Sequence, residues 1–498
     1  MTEPIGARHR AIAAGVGALL IATAALSLDP FGIYMPEERL GTLALGALVG
    51  ALVGAGAAGL LRREGRAGTL LGLGVFAATG IATHSAGIAV MFSLAVDRRV
   101  LFVALGLAVL VVIASLIGKL RLAEALILGL LPPILLCNVQ HARFLRDPGV
   151  DCAPLAQAAG VTPLALWPDP GHPALERSLL YDVVGDEDDG VAMAAFIRQA
   201  GDVVGCGAVA AWGPTGAATV LDAPFVASDP CFMTARLLVD RERDVLWLPL
   251  SSYDGALPPR LQAWRYGVDE AGRVTFERLY DGPLVLDPSD LRLQGDQMIV
   301  LSYPRRFEKA GASRLAVIDI ADPTSPTVLR QADFEPDGWM TEYVAPAGEV
   351  LYVSDVFGHF YAVRTSDLQV LKEVKPDAST LGMAVWKDHL FVAAPYRREL
   401  LVMDRASLSI VGALPAGNAM REVALDERAG RVFATAYGDG VLHGWQIGAD
   451  GALVSMGSLE LGSPMRGVHV LPESGEVLVG GACGVFRVDP GRAFGSGR

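Results

Sequence analysis

Seven side chains in the C-terminal two thirds of the chain carry the chemistry of a binding or catalytic site: Tyr181, Asp182, Asp290, Glu342, Arg421, Glu422 and Arg466. They stand at matching places in a strand–turn–strand pattern that recurs along the chain. One matching position reads Tyr181, Thr234, Asp290, Thr341, Gly382, Arg421 and Arg466. The next reads Asp182, Ala235, Leu291, Glu342, Met383, Glu422 and Gly467. Successive residues of a strand point to opposite sides, so regular alternation lets only one set face a shared cavity. If the first set does, Arg421 and Arg466, with Tyr181 and Asp290 beside them, would hold a carboxylate or phosphate through paired N–H donors. If the second does, Asp182, Glu342 and Glu422 would bind calcium or another divalent cation through oxygen. The more ordinary use of such residues is ion pairing between neighbouring units.

Other chemistry-bearing residues make weaker cases. The acidic run Asp186-Glu187-Asp188-Asp189 lacks the alternating ligand spacing of an EF-hand and falls in a turn between two strands, which makes it a solvated hairpin tip. Cys152, Cys206, Cys231 and Cys483 allow three disulfide pairings, and free buried thiols are the alternative. His359 and His443 follow hairpin glycines or strands and are expected to be structural. No nucleophile elbow, phosphate loop or zinc spacing occurs, and Gly205-Cys206-Gly207 ends a strand with no helix after it.

These residues need a scaffold, and the repeat supplies it. Copies of the strand–turn–strand unit start near residues 180, 233, 289, 340, 381, 420 and 465. A period of roughly 40–55 residues with several short strands per copy is the signature of propeller blades. A four-stranded blade has two exposed faces and cannot stand alone, whereas a closed ring buries them. The last copy runs out after three strands. Its missing outer strand is expected from the chain before the first copy, at Leu164-Ala165-Leu166-Trp167.

The third strands Leu315-Ala316-Val317-Ile318-Asp319-Ile320-Ala321-Asp322-Pro323 and Leu400-Leu401-Val402-Met403-Asp404 resemble the LVIVD and YVTN repeats of extracytoplasmic seven-bladed propellers, in the broad WD-repeat-like and quinoprotein-amine-dehydrogenase-β-chain-like group. The resemblance covers roughly residues 175–489 and implies the fold. It implies little about activity, because this architecture hosts many functions. The seven Trp keep no constant place in the repeat, which argues against a quinoprotein with a regular docking motif.

The first third is different in kind. Residues 1–150 hold 12 basic and 8 acidic residues, leaving 29 and 46 for the remainder: net +4 against −17, in a chain of formal charge −13 that is 52% hydrophobic. The split excludes a one-domain cytosolic enzyme, and the acidic part excludes nucleic acid as a partner. Five apolar stretches, 11–28, 40–61, 67–96, 100–118 and 122–142, are long enough to span a bilayer. Arg8 and Arg10, then Arg62, Arg63 and Arg66, then Lys119 and Arg121 mark the inner side, so the propeller lies outside, on the periplasmic face of a bacterial inner membrane. The first stretch could instead be a cleaved signal peptide ending at Ala22-Thr23-Ala24. Gly46, Gly50 and Gly54 share one helix face and serve helix packing or a homo-oligomer. His84, Glu124 and the Cys137/His141 pair complete the polar groups of this region and make no strong site.

The expected architecture is therefore multi-domain. A helical membrane bundle (1–146) is followed by a Pro-rich linker (147–174), an all-β seven-bladed propeller (175–494) and a short tail (495–498). The expected role is a membrane-anchored binding, scaffold or sensor module for a protein or small anionic ligand, without a cofactor. The alternative is a propeller hydrolase or lactonase with a divalent metal in its central funnel.

Overall fold

The computed structural model describes residues 158–494, apart from 167–177, 201–202, 222–231, 235, 253–256, 303–312, 335–340, 356–357, 377, 379, 396, 418, 463–464 and 482. The five apolar stretches, Gly46, Gly50, Gly54, His84, Glu124, Cys137, His141, most of the Pro-rich linker and the tail lie outside the described residues. Among the described residues no helix is long and apolar enough to cross a membrane.

Among the described residues, twenty-nine strands form seven antiparallel sheets. Blade 1 is β2 (Ser178–Asp186), β3 (Val191–Ala200), β4 (Val203–Trp212) and β5 (Ala218–Leu221). Blade 2 has an inner strand in two pieces, β6 (Phe232–Met233) and β7 (Leu238–Asp240), followed by β8 (Val245–Ser252), β9 (Arg260–Val268) and β10 (Val274–Pro283). Blade 3 is β11 (Pro288–Gln294), β12 (Gln297–Ser302), β13 (Ser313–Asp319) and β14 (Thr327–Phe334). Blade 4 is β15 (Thr341–Ala347), β16 (Val350–Asp355), β17 (Phe360–Arg364) and β18 (Val370–Val374). Blade 5 is β19 (Met383–Trp386), β20 (His389–Ala394), β21 (Glu399–Asp404) and β22 (Ile410–Pro415). Blade 6 is β23 (Met420–Asp426), β24 (Arg431–Ala436), β25 (Val441–Ile447) and β26 (Leu453–Glu460). Blade 7 takes β27 (Arg466–Val470), β28 (Val477–Gly481) and β29 (Gly484–Val488), and its outer strand is β1 (Val161–Leu166).

The closing strand is the one the sequence predicted, three residues longer at its start and ending at Leu166. It pairs antiparallel with β29 from Val161↔Val488 to Leu166↔Gly484, and the register breaks between Pro163 and Ala165. Proline has no N–H for the ladder and is tolerated here because β1 is an edge strand. The inner strands touch in the cyclic order β2, β7, β11, β15, β19, β23, β27 and back to β2. The ring is closed.

Alternation along each strand builds the layers between blades. On β4, Val209 and Ala211 pack toward blade 2, while Ala208, Ala210 and Trp212 pack toward blade 7. On β13, Leu315 and Val317 face blade 4, while Ala316 and Ile318 face blade 2. Each blade is thus sandwiched, and its middle strands read as nearly continuous apolar runs because both faces are buried. Small residues set the spacing where inner strands come closest. A Cβ on Gly382 would lie 2.3 Å from the Arg421 carbonyl oxygen. Gly467 has φ +75°, and a Cβ there would lie 2.9 Å from the Val183 nitrogen.

Candidate functional site at the channel mouth

The inner strands do not follow regular alternation where the candidate residues sit. Register breaks fall between Leu180 and Asp182, Pro288 and Asp290, Thr341 and Tyr343, Met420 and Val423, and Arg466 and Val468. Each break is a β-bulge, whose extra residue is left out of the ladder and re-aims its side chain. Tyr181, Ser289, Glu342 and Gly467 are the extra residues, and blade 6 has two, Arg421 and Glu422. This corrects two expectations. Asp290 matches Asp182 in the ladder, not Tyr181. And the bulges let members of both predicted sets serve the axis, in two layers.

The deeper layer is organised by a residue the sequence reading passed over. Arg236 lies between β6 and β7 and is 6% exposed. Its Nε is 2.8 Å from Asp290 Oδ1, its Nη2 3.0 Å from Glu422 Oε1, and its Nη1 3.7 Å from Asp182 Oδ1. The guanidinium also lies over the Tyr343 ring, 5.1 Å from its centroid. One side chain from blade 2 therefore meets blades 1, 3, 4 and 6. The inner strand of blade 2 leaves its sheet here for a local reason. Extending the Leu238↔Trp247 register would set Arg236 opposite Pro249, which has no N–H to offer. Thr234 Oγ1 donates to the Arg236 carbonyl at 2.7 Å and fixes the detour.

The three carboxylates are secured by different partners. Asp290 accepts the Val344 N–H at 2.9 Å and has Arg292 Nη2 at 3.2 Å. Glu422 accepts the Tyr343 hydroxyl at 2.8 Å. Asp182 accepts the Leu237 and Val183 N–H groups at 2.9 and 3.0 Å, and its guanidinium contact is the longest of the three. Burial drives the Asp182 carboxyl up to about 6, against the pull of Arg236. Glu422 is equally enclosed but held below the usual range, because Arg236, Arg292 and Arg421 outweigh its desolvation.

The outer layer is the mouth, where inner strands begin and second strands end. Arg466 stacks over Tyr181, 4.4 Å from the ring centroid, and over Tyr437 at 5.2 Å. Arg421 approaches the same Tyr437 ring at 5.9 Å, with its Nη2 3.7 Å from Glu342 Oε2. The two arginines predicted as an anion clamp are thus neighbours. Arg421 has an acidic partner. Arg466 has none among the described residues, and its Nε is enclosed without an acceptor.

The metal alternative finds no matching geometry. Among the described residues, Asp182, Glu342 and Glu422 do not form a three-carboxylate group close enough to share an ion. Asp182 and Glu422 face Arg236, and Glu342 faces Arg421. One acidic group of that kind does occur, at the opposite end, where oxygens of Asp186, Asp189 and Asp244 lie within 4.8 Å of one another. The turn there is not wholly solvated as expected: Asp186 is buried, accepting the Tyr266 hydroxyl at 2.5 Å and the Asp188 N–H at 3.0 Å.

His359 is buried, with Nδ1 3.1 Å from Glu373 and its ring stacked on Tyr361, and His443 stacks on Trp445. Cys483 is disulfide-bonded. Cys152 and Cys231 lie outside the described residues.

Seven antiparallel sheets in a closed ring, six of four strands and one whose inner strand is split in two, with one outer strand borrowed from the other end of the domain, decide the fold. It is a seven-bladed β-propeller. The chain is similar to the WD40 β-propeller domain of Doa1, at 13% identity and TM-score 0.46 over 66% of this chain and 96% of that one. It is similar in the same degree to a chain of the mitotic checkpoint complex, at 12% identity and TM-score 0.46 over 63% and 91%. These likenesses concern the chain path; the blade count rests on the sheets themselves. No protein-family model and no curated protein matches the sequence.

Proposed function

We propose that this protein is a membrane-anchored, extracytoplasmic binding module whose propeller recognises an anionic group at the channel mouth, on a small molecule or a partner protein. The observation that carries the binding reading is Arg466: a cation in contact with two tyrosine rings that has, among the described residues, no acidic partner and no acceptor for its enclosed Nε–H. A guanidinium fixed in its plane by stacking is prepared for the in-plane, two-point contact that carboxylates and phosphates make. Beneath it lies the buried Arg236 hub, which ties together inner strands of blades 1, 3, 4 and 6.

Three features support the location. Apolar stretches of bilayer-spanning length precede the propeller, and their flanking arginines favour an N-terminus-inside orientation. The third strands resemble YVTN and LVIVD repeats. A disulfide at Cys483 belongs to an oxidising compartment.

Two experiments test the proposal. In the full-length chain, acetate and inorganic phosphate are titrated against thermal stability. Wild-type protein is expected to be stabilised by at least one of them, and Arg466→Lys, which keeps the charge and loses the fork, is expected to lose that response. No response in the wild type overturns the binding reading. For location, a cysteine placed at the exposed turn residue Asp450 is expected to react with a membrane-impermeant maleimide in intact spheroplasts. Labelling only after lysis overturns the topology.

A further inference from the structure

The two layers of the axis are joined through single peptide units. Tyr181, which stacks on Arg466, is followed by Asp182, which faces Arg236. Glu342, beside Arg421, is followed by Tyr343, and Arg421 itself is followed by Glu422. What happens to charge in the hub is therefore felt at the mouth.

The formal charges give this a direction. Arg236 from the β6–β7 connection pairs with Asp182, and Glu422 from β23 and Arg292 from β11 act on its charge; Asp290 of β11 and Tyr343 of β15 complete the hub, and Glu342 of β15, Arg421 of β23 and Arg466 of β27 form the mouth. The hub sets three carboxylates against two guanidinium groups and carries one uncompensated negative charge. Among the described groups that meet at the mouth, Arg421 and Arg466 stand against Glu342, one positive charge in excess. Of the hub carboxylates, Asp290 is approached by two arginines and Glu422 by a guanidinium and a phenol, whereas Asp182 keeps the longest ion pair. It is the member from which ionisation is most easily withdrawn.

We propose that the mouth binds a monoanionic carboxylate and that this binding is coupled to proton uptake by Asp182 in the hub below it. The proposal rests on the mouth being an anion site and adds to that reading the ligand class and its regulation. With all groups ionised the two layers cancel, so a dianion gains little. With Asp182 protonated the pair of layers is net positive, and an anion on Arg466 is held more tightly. The Asp182 carboxyl already lies up near 6, which places the transition just below neutral pH.

Removing one unit of charge a residue away from the Arg466 stack, screened as partly buried pairs are, is worth about fivefold in affinity. By linkage, a fivefold coupling draws at most about 0.4 proton per ligand bound. The test uses the full-length chain with acetate as the probe and inorganic phosphate as the comparison. Affinity is read from broadening of the acetate methyl resonance between pH 5 and 8, and proton uptake from pH-stat titration near pH 6.

Acetate is expected to bind about fivefold tighter at pH 5 than at pH 8, with net proton uptake, and phosphate more weakly than acetate at pH 8. Asp182→Asn should bind acetate at pH 8 as tightly as the wild type does at pH 5, without pH dependence. Wild-type affinity that is flat with pH, with no proton uptake, overturns the coupling while leaving the mouth as an anion site. Failure of the wild type to bind either probe at any pH overturns the mouth reading itself. Because proton uptake is measured on unmodified protein, poor folding of the Asn variant does not rescue the proposal.

Discussion

Replacing Arg236 with Met keeps the volume and the apolar stem but removes the cation that forms ion pairs with Asp182, Asp290 and Glu422 together. Arg236 and Glu422 are almost fully enclosed and Asp290 completely so, hence water cannot take over the pairing. Breaking one buried ion pair by removing a partner costs about 3–5 kcal/mol, chiefly from the charge left behind. Here three carboxylates are left. Some of the loss is recovered by protonation, and Arg292 still holds Asp290, so a net loss of about 4 kcal/mol is the working figure. For a domain of this size that corresponds to a fall in Tm of roughly 5–10 °C.

The assay is thermal unfolding of the full-length chain at pH 7.5, followed by near-ultraviolet circular dichroism. A second variant sharpens it. Arg236→Met combined with Asp182→Asn, Asp290→Asn and Glu422→Gln removes the stranded charges as well, and should recover at least half of the loss. If Arg236→Met unfolds within 2 °C of the wild type, the hub is not a structural centre. If the combined variant is no better than the single one, stranded charge is the wrong explanation.

Three other outcomes are expected. The folded-state Asp182 carboxyl lies at about 6 against an ordinary 3.8, so between those values the folded chain holds an extra proton. That contribution to stability is full below about pH 4 and falls by about 3 kcal/mol as pH rises through 6; thermal scans of wild type against Asp182→Asn across pH 4–8 should show the difference closing at low pH. Gly467→Ala forces a side chain into a left-handed backbone and against the Val183 nitrogen, and should lower stability by about 2 kcal/mol or more in denaturant titration. Cys483→Ser should cost about 2–5 kcal/mol, and mass spectrometry after alkylation should show one more free thiol in the variant than in the oxidised wild type.

Most of the scaffold is legible in the residues. The repeat spacing gives seven blades, the apolar runs give strands buried on both faces, and the shortfall of strands in the last copy gives the closing strand. The site was legible only in part. Arg421 and Arg466 could be named because they stand next to anchor residues at equal spacing. Their layering could not, because a β-bulge is a backbone event that depends on what the neighbouring blade offers and leaves no residue signature at Tyr181 or Glu342. Arg236 was missed because the repeat unit was followed only to Ala235. The signal was there in Pro249, a residue without an N–H in the middle of a second strand, which marks the place where the strand before it must leave the ladder.

The borrowed strand gives the propeller a sense of time. β1 is synthesised before every other strand of the domain, yet its partner β29 is nearly the last to be made. Until then the growing chain has an idle first strand and an unsealed ring of blades. A product that stops short of Gly484 has nothing for β1 to pair with, and its seventh blade stays open to proteases. Closure at Val161↔Val488 thus works as a built-in check that translation has reached the end of the last blade.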